Sequence, residues 1–138
     1  MKAELDRLEE MGVITQMSKP MEWISALVVE RKKNGKLRLC LDPRPLNKAL
    51  RRSTYPIRVI DDLLPRLSRA KFFSVCDAKN GYWQLKLDES SIDLTAMATL
   101  FGRYAWKRMP FGVSLAPKIF QEKLDRAIEG LERSFRYI

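Results

Sequence analysis

Apolar residues recur at helical spacing in two parts of this chain and at alternate positions in several others. Leu5, Leu8 and Met11 predict a helix over residues 2–11, with Gly12 placed to stop it. The run EWISALVVERKKNGKLRLCLD carries two apolar segments around Asn34-Gly35, a pair that tolerates the positive φ angles of a tight turn, and so predicts a basic β-hairpin. Its cations are expected at the tip and along one exposed face. DPRPLNKALRRSTYPI, with three prolines, reads as a connector, and VIDDLLPRLS as a short helix with Asp61 and Asp62 near its N-terminus and Pro65 bending it. Residues 71–77 predict a buried strand ending in Asp77. YWQLKLD predicts a second strand, with Gln84 and Lys86 alternating against Leu85 and Leu87. TAMATLFGRYAWKRMPFGV gives further short strands broken at Gly102 and Pro110. Ser114 is positioned to cap a helix whose Phe120, Leu124, Ala127 and Ile128 form one apolar face ending at Gly130, and residues 131–138 begin another strand-like segment. Helices and strands are mixed without regular βαβ alternation or repeats. The fold class is therefore α+β.

Charge sharpens this picture. The formal net charge is +9, and residues 31–58 hold ten Lys or Arg against Asp42 alone, so that one segment owns the whole excess. Such clustering points to a polyanionic partner, whether RNA, DNA, anionic lipid or an acidic protein. Histidine is absent, which excludes Ser-His-Asp, Cys-His and His-ligated zinc chemistry and leaves carboxylates, lysines and tyrosines. Cys40 and Cys76 lie in apolar strand-like runs without Cys-x-x-Cys spacing and read as reduced core thiols. No apolar run is long enough to span a membrane, and the N-terminus is too polar for a signal peptide. An intracellular chain without a membrane partner is expected, in cytoplasm or nucleus alike.

The sharpest chemical question sits in KFFSVCDAKNGYWQLKL. A carboxylate at the end of a buried strand must neutralise, pair or bind a metal, so Asp77 is either a turn residue among nearby cations or a ligand. Gly81 permits close backbone approach to a ligand, and the amides of Asn80 and Gly81 are suited to phosphate oxygens. Tyr82 and Trp83 are alternatively ordinary packing residues, and Phe111 alternatively a loop anchor.

Taken in order, GVI, KKNGKLRLCLDPRPLNK, YPI, FFSVCDAKNGYWQLKLD and FGRYAWKRMPFGVSLAPKIFQ resemble the reverse transcriptase domain of gypsy-type LTR retrotransposons over nearly the whole chain. The resemblance implies the fingers and part of the palm of a right-hand polymerase: fingers over 1–52, palm over 53–84 with Asp77, fingers again over 85–109, and palm over 110–138 with a helix at 114–129. It implies that Asp77 is the first catalytic aspartate, a ligand to Mg²⁺ (or Mn²⁺) in two-metal phosphoryl transfer. Tyr82 then matches the steric gate against a ribose 2′-hydroxyl. Lys33 and Arg38 match contacts to the incoming dNTP triphosphate, with Asn80, Gly81, Phe111 and Gly112 completing the nucleotide site. Lys32, Lys36, Arg44 and Lys48 are left to track the RNA or DNA template–primer backbone. Phe111 stands where retroviral relatives carry glutamine, and Leu100 where the family commonly has proline. The family's other two aspartates belong to a Tyr-x-Asp-Asp turn, whereas this sequence reaches Tyr137 and Ile138 without them. The polypeptide alone is accordingly expected to bind Mg²⁺ weakly and not to polymerise. An unpaired strand edge near 132–138 is expected to be open to association.

Overall fold

The computed structural model describes residues 1–33, 35–51, 54–57, 65, 71–72 and 74–130. Helix α1, Lys2–Glu10, forms as its spacing demands: Leu5 and Leu8 are fully buried, and Gly12 turns the chain away at φ +66°. Strand β1 (Ile14–Gln16) follows. It pairs antiparallel with β5 (Gly102–Trp106), which pairs in turn with β4 (Met97–Thr99), giving a three-stranded sheet in the order β1-β5-β4.

The basic hairpin is a separate two-stranded sheet of β2 (Ala26–Arg31) and β3 (Leu37–Asp42), in register from Ala26↔Asp42 to Arg31↔Leu37. The Gly35 amide closes its turn onto the Lys32 carbonyl at 2.9 Å, with Gly35 at φ +78°. Asn34 lies outside the described residues. Ser25, just ahead of β2, joins the hairpin to the larger sheet, its amide donating to the Ala96 carbonyl at 2.8 Å. The shared core lies between these layers: Leu5, Leu8, Val13 and Ile14 meet Leu39 and Leu41 of β3 and Met97, Tyr104 and Trp106 of the sheet. Thr95 ties β5 to the preceding helix α3 (Glu89–Leu94), since its hydroxyl accepts from the Trp106 amide at 3.0 Å and donates to the Ile92 carbonyl at 2.7 Å.

Several elements differ from their sequence expectation. The expected connector after β3 contains helix α2, Arg44–Ala49, because Pro45 falls in the first turn where a missing amide costs nothing and Leu46 finds a buried place. The described residues of 71–77 do not form a buried strand. Residues 74–78 have no regular structure, and Phe72 and Val75 are 94% and 93% exposed. A strand exists only by pairing, and among the described residues none pairs with them. Cys76 is correspondingly exposed rather than a core thiol, while Cys40 is partly buried and its thiol pushed up by burial.

The second expected strand opens as a 3-10 helix, Gly81–Gln84. Only residues 85–87 extend, lying antiparallel to 107–109 with Leu85 and Leu87 half-buried and Lys86 exposed. Helix α3 had no hydrophobic period to announce it. Its sign was Asp88, which accepts the Ser91 amide at 2.7 Å as N-cap. Helix α4 (Ala116–Ala127) ends near Gly130, as expected, but Leu115 is its N-cap and Ser114 does not cap it. On α4, Ala127 is exposed and Gln121, not a hydrophobe, is fully buried. The helix expected over 59–68 (Pro65 apart) and the strand expected over 131–138 lie outside the described residues. Among the described residues no helix is long and apolar enough to cross a membrane.

Candidate active site

The site is assembled where hairpin strand β3 meets the loop between β5 and α4. Alternation along β3 buries Leu39 and Leu41 and leaves Arg38 on the other face. There the Arg38 guanidinium lies over the Phe111 ring, 5.3 Å from its centre, with Glu30 of β2 directly across at 3.5 Å. A guanidinium over an aromatic face is attracted by the ring quadrupole, which steadies it there. Lys32, Lys33 and Lys36 are exposed around the turn, and Lys48 is exposed on α2. Arg44 is already engaged, its fork closed on the Asp42 carboxylate at 2.9–3.1 Å.

Phe111 is the centre of an aromatic cluster. The Tyr82 ring packs against Phe111 at 5.1 Å and edge-on to Phe120 of α4 at 5.7 Å; Trp83 approaches Phe111 at 6.3 Å and Trp106 at 6.5 Å. Burial pushes the Tyr82 hydroxyl up from its ordinary value. The packing alternative thus holds for both: Tyr82 packs on Phe111 and Phe120, and Phe111 also carries Arg38 on its ring.

The backbone around them is fixed by close approaches. Gly112 sits at φ +109°, and a Cβ there would lie 2.0 Å from the Leu41 carbonyl oxygen, so no side chain fits. The Leu41 amide donates to the Phe111 carbonyl at 3.0 Å. Gly81 faces the Phe120 ring, where a Cβ would come within 2.9 Å of Cζ. The left-handed residue of that turn is Asn80, at φ 54°. Asn47, which sequence reasoning passed over inside its supposed connector, donates through Nδ2 to the Gly112 carbonyl and accepts the Ser114 amide, each at 2.9 Å. The N in PLNK is the only local sign of it, and nothing in the sequence indicates its partners 65 and 67 residues away.

Asp77 lies exposed in the irregular segment five residues before Tyr82, without the buried setting expected of it. Among the described residues no three His, Cys, Asp or Glu side chains come together as a metal-binding group. A pair of divalent ions needs several anionic oxygens. The described residues do not complete such a donor set.

Superposition on solved structures identifies this mixed helix and strand architecture as that of a reverse transcriptase fingers and palm fragment. The native prototype foamy virus protease-reverse transcriptase superposes on 100% of the chain with a TM-score of 0.85 at 23% identity, using 18% of that protein. The foamy viral protease-reverse transcriptase dRH in complex with ds DNA superposes on 99% of it with a TM-score of 0.89, also at 23% identity, using 24% of that protein. The family model described as reverse transcriptase (RNA-dependent DNA polymerase) matches residues 30–138, and the chain belongs to that family. It is 36% identical over 133 residues to the retrovirus-related Pol polyprotein from transposon 412 of Drosophila melanogaster, covering 96% of this chain and 11% of that polyprotein. It is 32% identical over 133 residues to the enzymatic polyprotein of figwort mosaic virus (strain DxS), covering 94% of this chain and 20% of that one. The chain therefore spans a small part of the length of these relatives.

Proposed function

We propose that this chain is the fingers and partial palm of a gypsy-type retroelement reverse transcriptase, with fingers at 1–52 and 85–109 and palm at 53–84 and 110–138. The parent activity is template-directed addition of dNTP to a primer. The observation that carries the reading is that residues singled out from three separate motifs meet around Phe111: Arg38 lies over its ring, Tyr82 packs against it, and Gly112 beside it presses on β3. Arg38, steadied on Phe111, and Lys33 at the turn bind the triphosphate; the Tyr82 ring sets the space left for the sugar; Phe111 and Gly112 form the floor beneath the base. Asn80 and Gly81 offer amides beside Tyr82. Lys32, Lys36 and Lys48 follow the template–primer backbone, and Arg44 contributes less because Asp42 holds it. Solved relatives in complex with ds DNA and with an RNA/DNA hybrid support a nucleic-acid partner.

Asp77 is proposed as the carboxylate that carries the family's metal chemistry. The described residues do not complete its donor set, and this polypeptide by itself is expected not to polymerise. Primer extension with dNTPs and either Mg²⁺ or Mn²⁺ is expected to yield no product from residues 1–138. Incorporation that vanishes in Asp77→Asn would overturn this. That no group of three acids forms around Asp77 among the described residues favours a second reading, a nucleic-acid-binding module without polymerase activity, which predicts salt-sensitive binding with no extension even when the chain is fused to the complementary region of a related Pol polyprotein.

A further inference from the structure

We infer that Asn47 is a positioning residue that locks the Phe111–Ser114 loop to the hairpin and thereby sets the platform on which Arg38 is held. Among the described residues, three hydrogen bonds fasten that loop to β3 and α2. One is the backbone bond from Leu41 to the Phe111 carbonyl; the other two belong to the single carboxamide of Asn47, which donates to Gly112 and accepts from Ser114. A carboxamide presents a donor and an acceptor side by side and so satisfies both backbone groups, where an ionised carboxylate offers acceptors only and leaves the Gly112 carbonyl unmet.

The placement explains why one residue controls so much. Asn47 lies on α2, which begins two residues after β3 ends, so β3, α2 and the loop are one stitched unit. Gly112 has no slack, pressed on the Leu41 carbonyl at a left-handed φ. A loop released at Gly112 and Ser114 pivots about the remaining Leu41–Phe111 bond, and the Phe111 ring then leaves the Arg38 guanidinium. Asn47 thus acts through Phe111 on Arg38 without touching a ligand itself. The functional consequence rests on the reading of Arg38 as a phosphate contact.

The test uses the 138-residue chain as wild type, Asn47→Ala and Asn47→Asp, each also in an Arg38→Ala background. Amide hydrogen exchange by NMR reads the loop, and titration with inorganic tripolyphosphate reads the Arg38 platform. Asn47→Ala is expected to accelerate exchange of the Ser114 amide about tenfold. Asn47→Asp keeps an acceptor for Ser114 and retains that protection, while losing the donor to Gly112. Tripolyphosphate affinity is expected to fall about three- to tenfold in Asn47→Ala and to show no further fall in the Arg38→Ala background, because both changes act through one group. Unchanged Ser114 exchange in folded Asn47→Ala, or an affinity loss equally large with Arg38 absent, would overturn the inference. If wild type binds no tripolyphosphate, the phosphate reading of Arg38 fails by itself, and Ser114 exchange still decides whether Asn47 positions the loop.

Discussion

At the scale of single residues, the chain separates those whose role is written in their chemistry from those whose role comes from a distant neighbour. Arg38, Tyr82 and Phe111 could be singled out because they stand in motifs that resemble a known family, although packing stayed an alternative for the two aromatics. Gly112 was singled out too, yet the reason only glycine serves there is the Leu41 carbonyl, 71 positions earlier. Gly112→Ala is expected to cost about 2–4 kcal/mol, from backbone strain at a positive φ together with overpacking against a backbone atom. Urea unfolding measures it directly, and a loss below about 0.5 kcal/mol would mean that the loop does not press on β3 as described. Asn47 shows the converse case, a residue of ordinary appearance whose two long-range bonds no local pattern could reveal.

At the scale of elements, α1, the hairpin and α4 were legible because each has a period and a stop signal. Helix α2 was hidden by its prolines, although one of them sits where helices accept proline. The 3-10 helix at Gly81–Gln84 was hidden because alternation of burial over 84–87 imitates a strand. Helix α3 was hidden because its signal is a cap rather than a stripe. Bonds from Ser91 and then Ser90 hold the Asp88 carboxyl below its ordinary value. The folded chain therefore protonates this group less readily than the unfolded chain. Its stabilisation is complete above the unfolded pKa, and it is lost as pH falls from the ordinary carboxylate range through the lower folded one. Thermal unfolding as a function of pH should accordingly show a shallower acid-side decline in Asp88→Ala than in wild type. Parallel declines would exclude Asp88 as a pH-linked cap.

For the whole molecule, the core lies between α1, β3 and the three-stranded sheet, and the segment around Asp77 lies outside it. Replacing Trp106, fully buried, by Ala is expected to cost about 3–5 kcal/mol. Phe72→Ser and Val75→Ser should each stay within about 0.5 kcal/mol of wild type. Comparable losses at Phe72 would restore the buried strand that the sequence suggested. Charge is the other global property. With the excess concentrated in residues 31–58, binding to single-stranded RNA or DNA should fall steeply with salt. Replacing Lys32, Lys33, Lys36 and Arg38 together by Ala should reduce the log–log salt slope by roughly 0.7 for each phosphate that is no longer neutralised, as fluorescence anisotropy would record. Equal slopes in the two proteins would remove the hairpin from the nucleic-acid surface.

The sequence by itself determined the α+β class, the basic hairpin, the family motifs in their order and most of the residues that meet at the site, because periodicity, turn chemistry and charge act over a few neighbouring positions. Tertiary structure decided what those residues touch. It placed Arg38 on Phe111, pressed Gly112 onto Leu41, gave Asn47 its two partners and left Asp77 exposed. These outcomes depend on pairings between segments tens of residues apart. A strand without a partner or an amide without its loop has no local pattern to announce it.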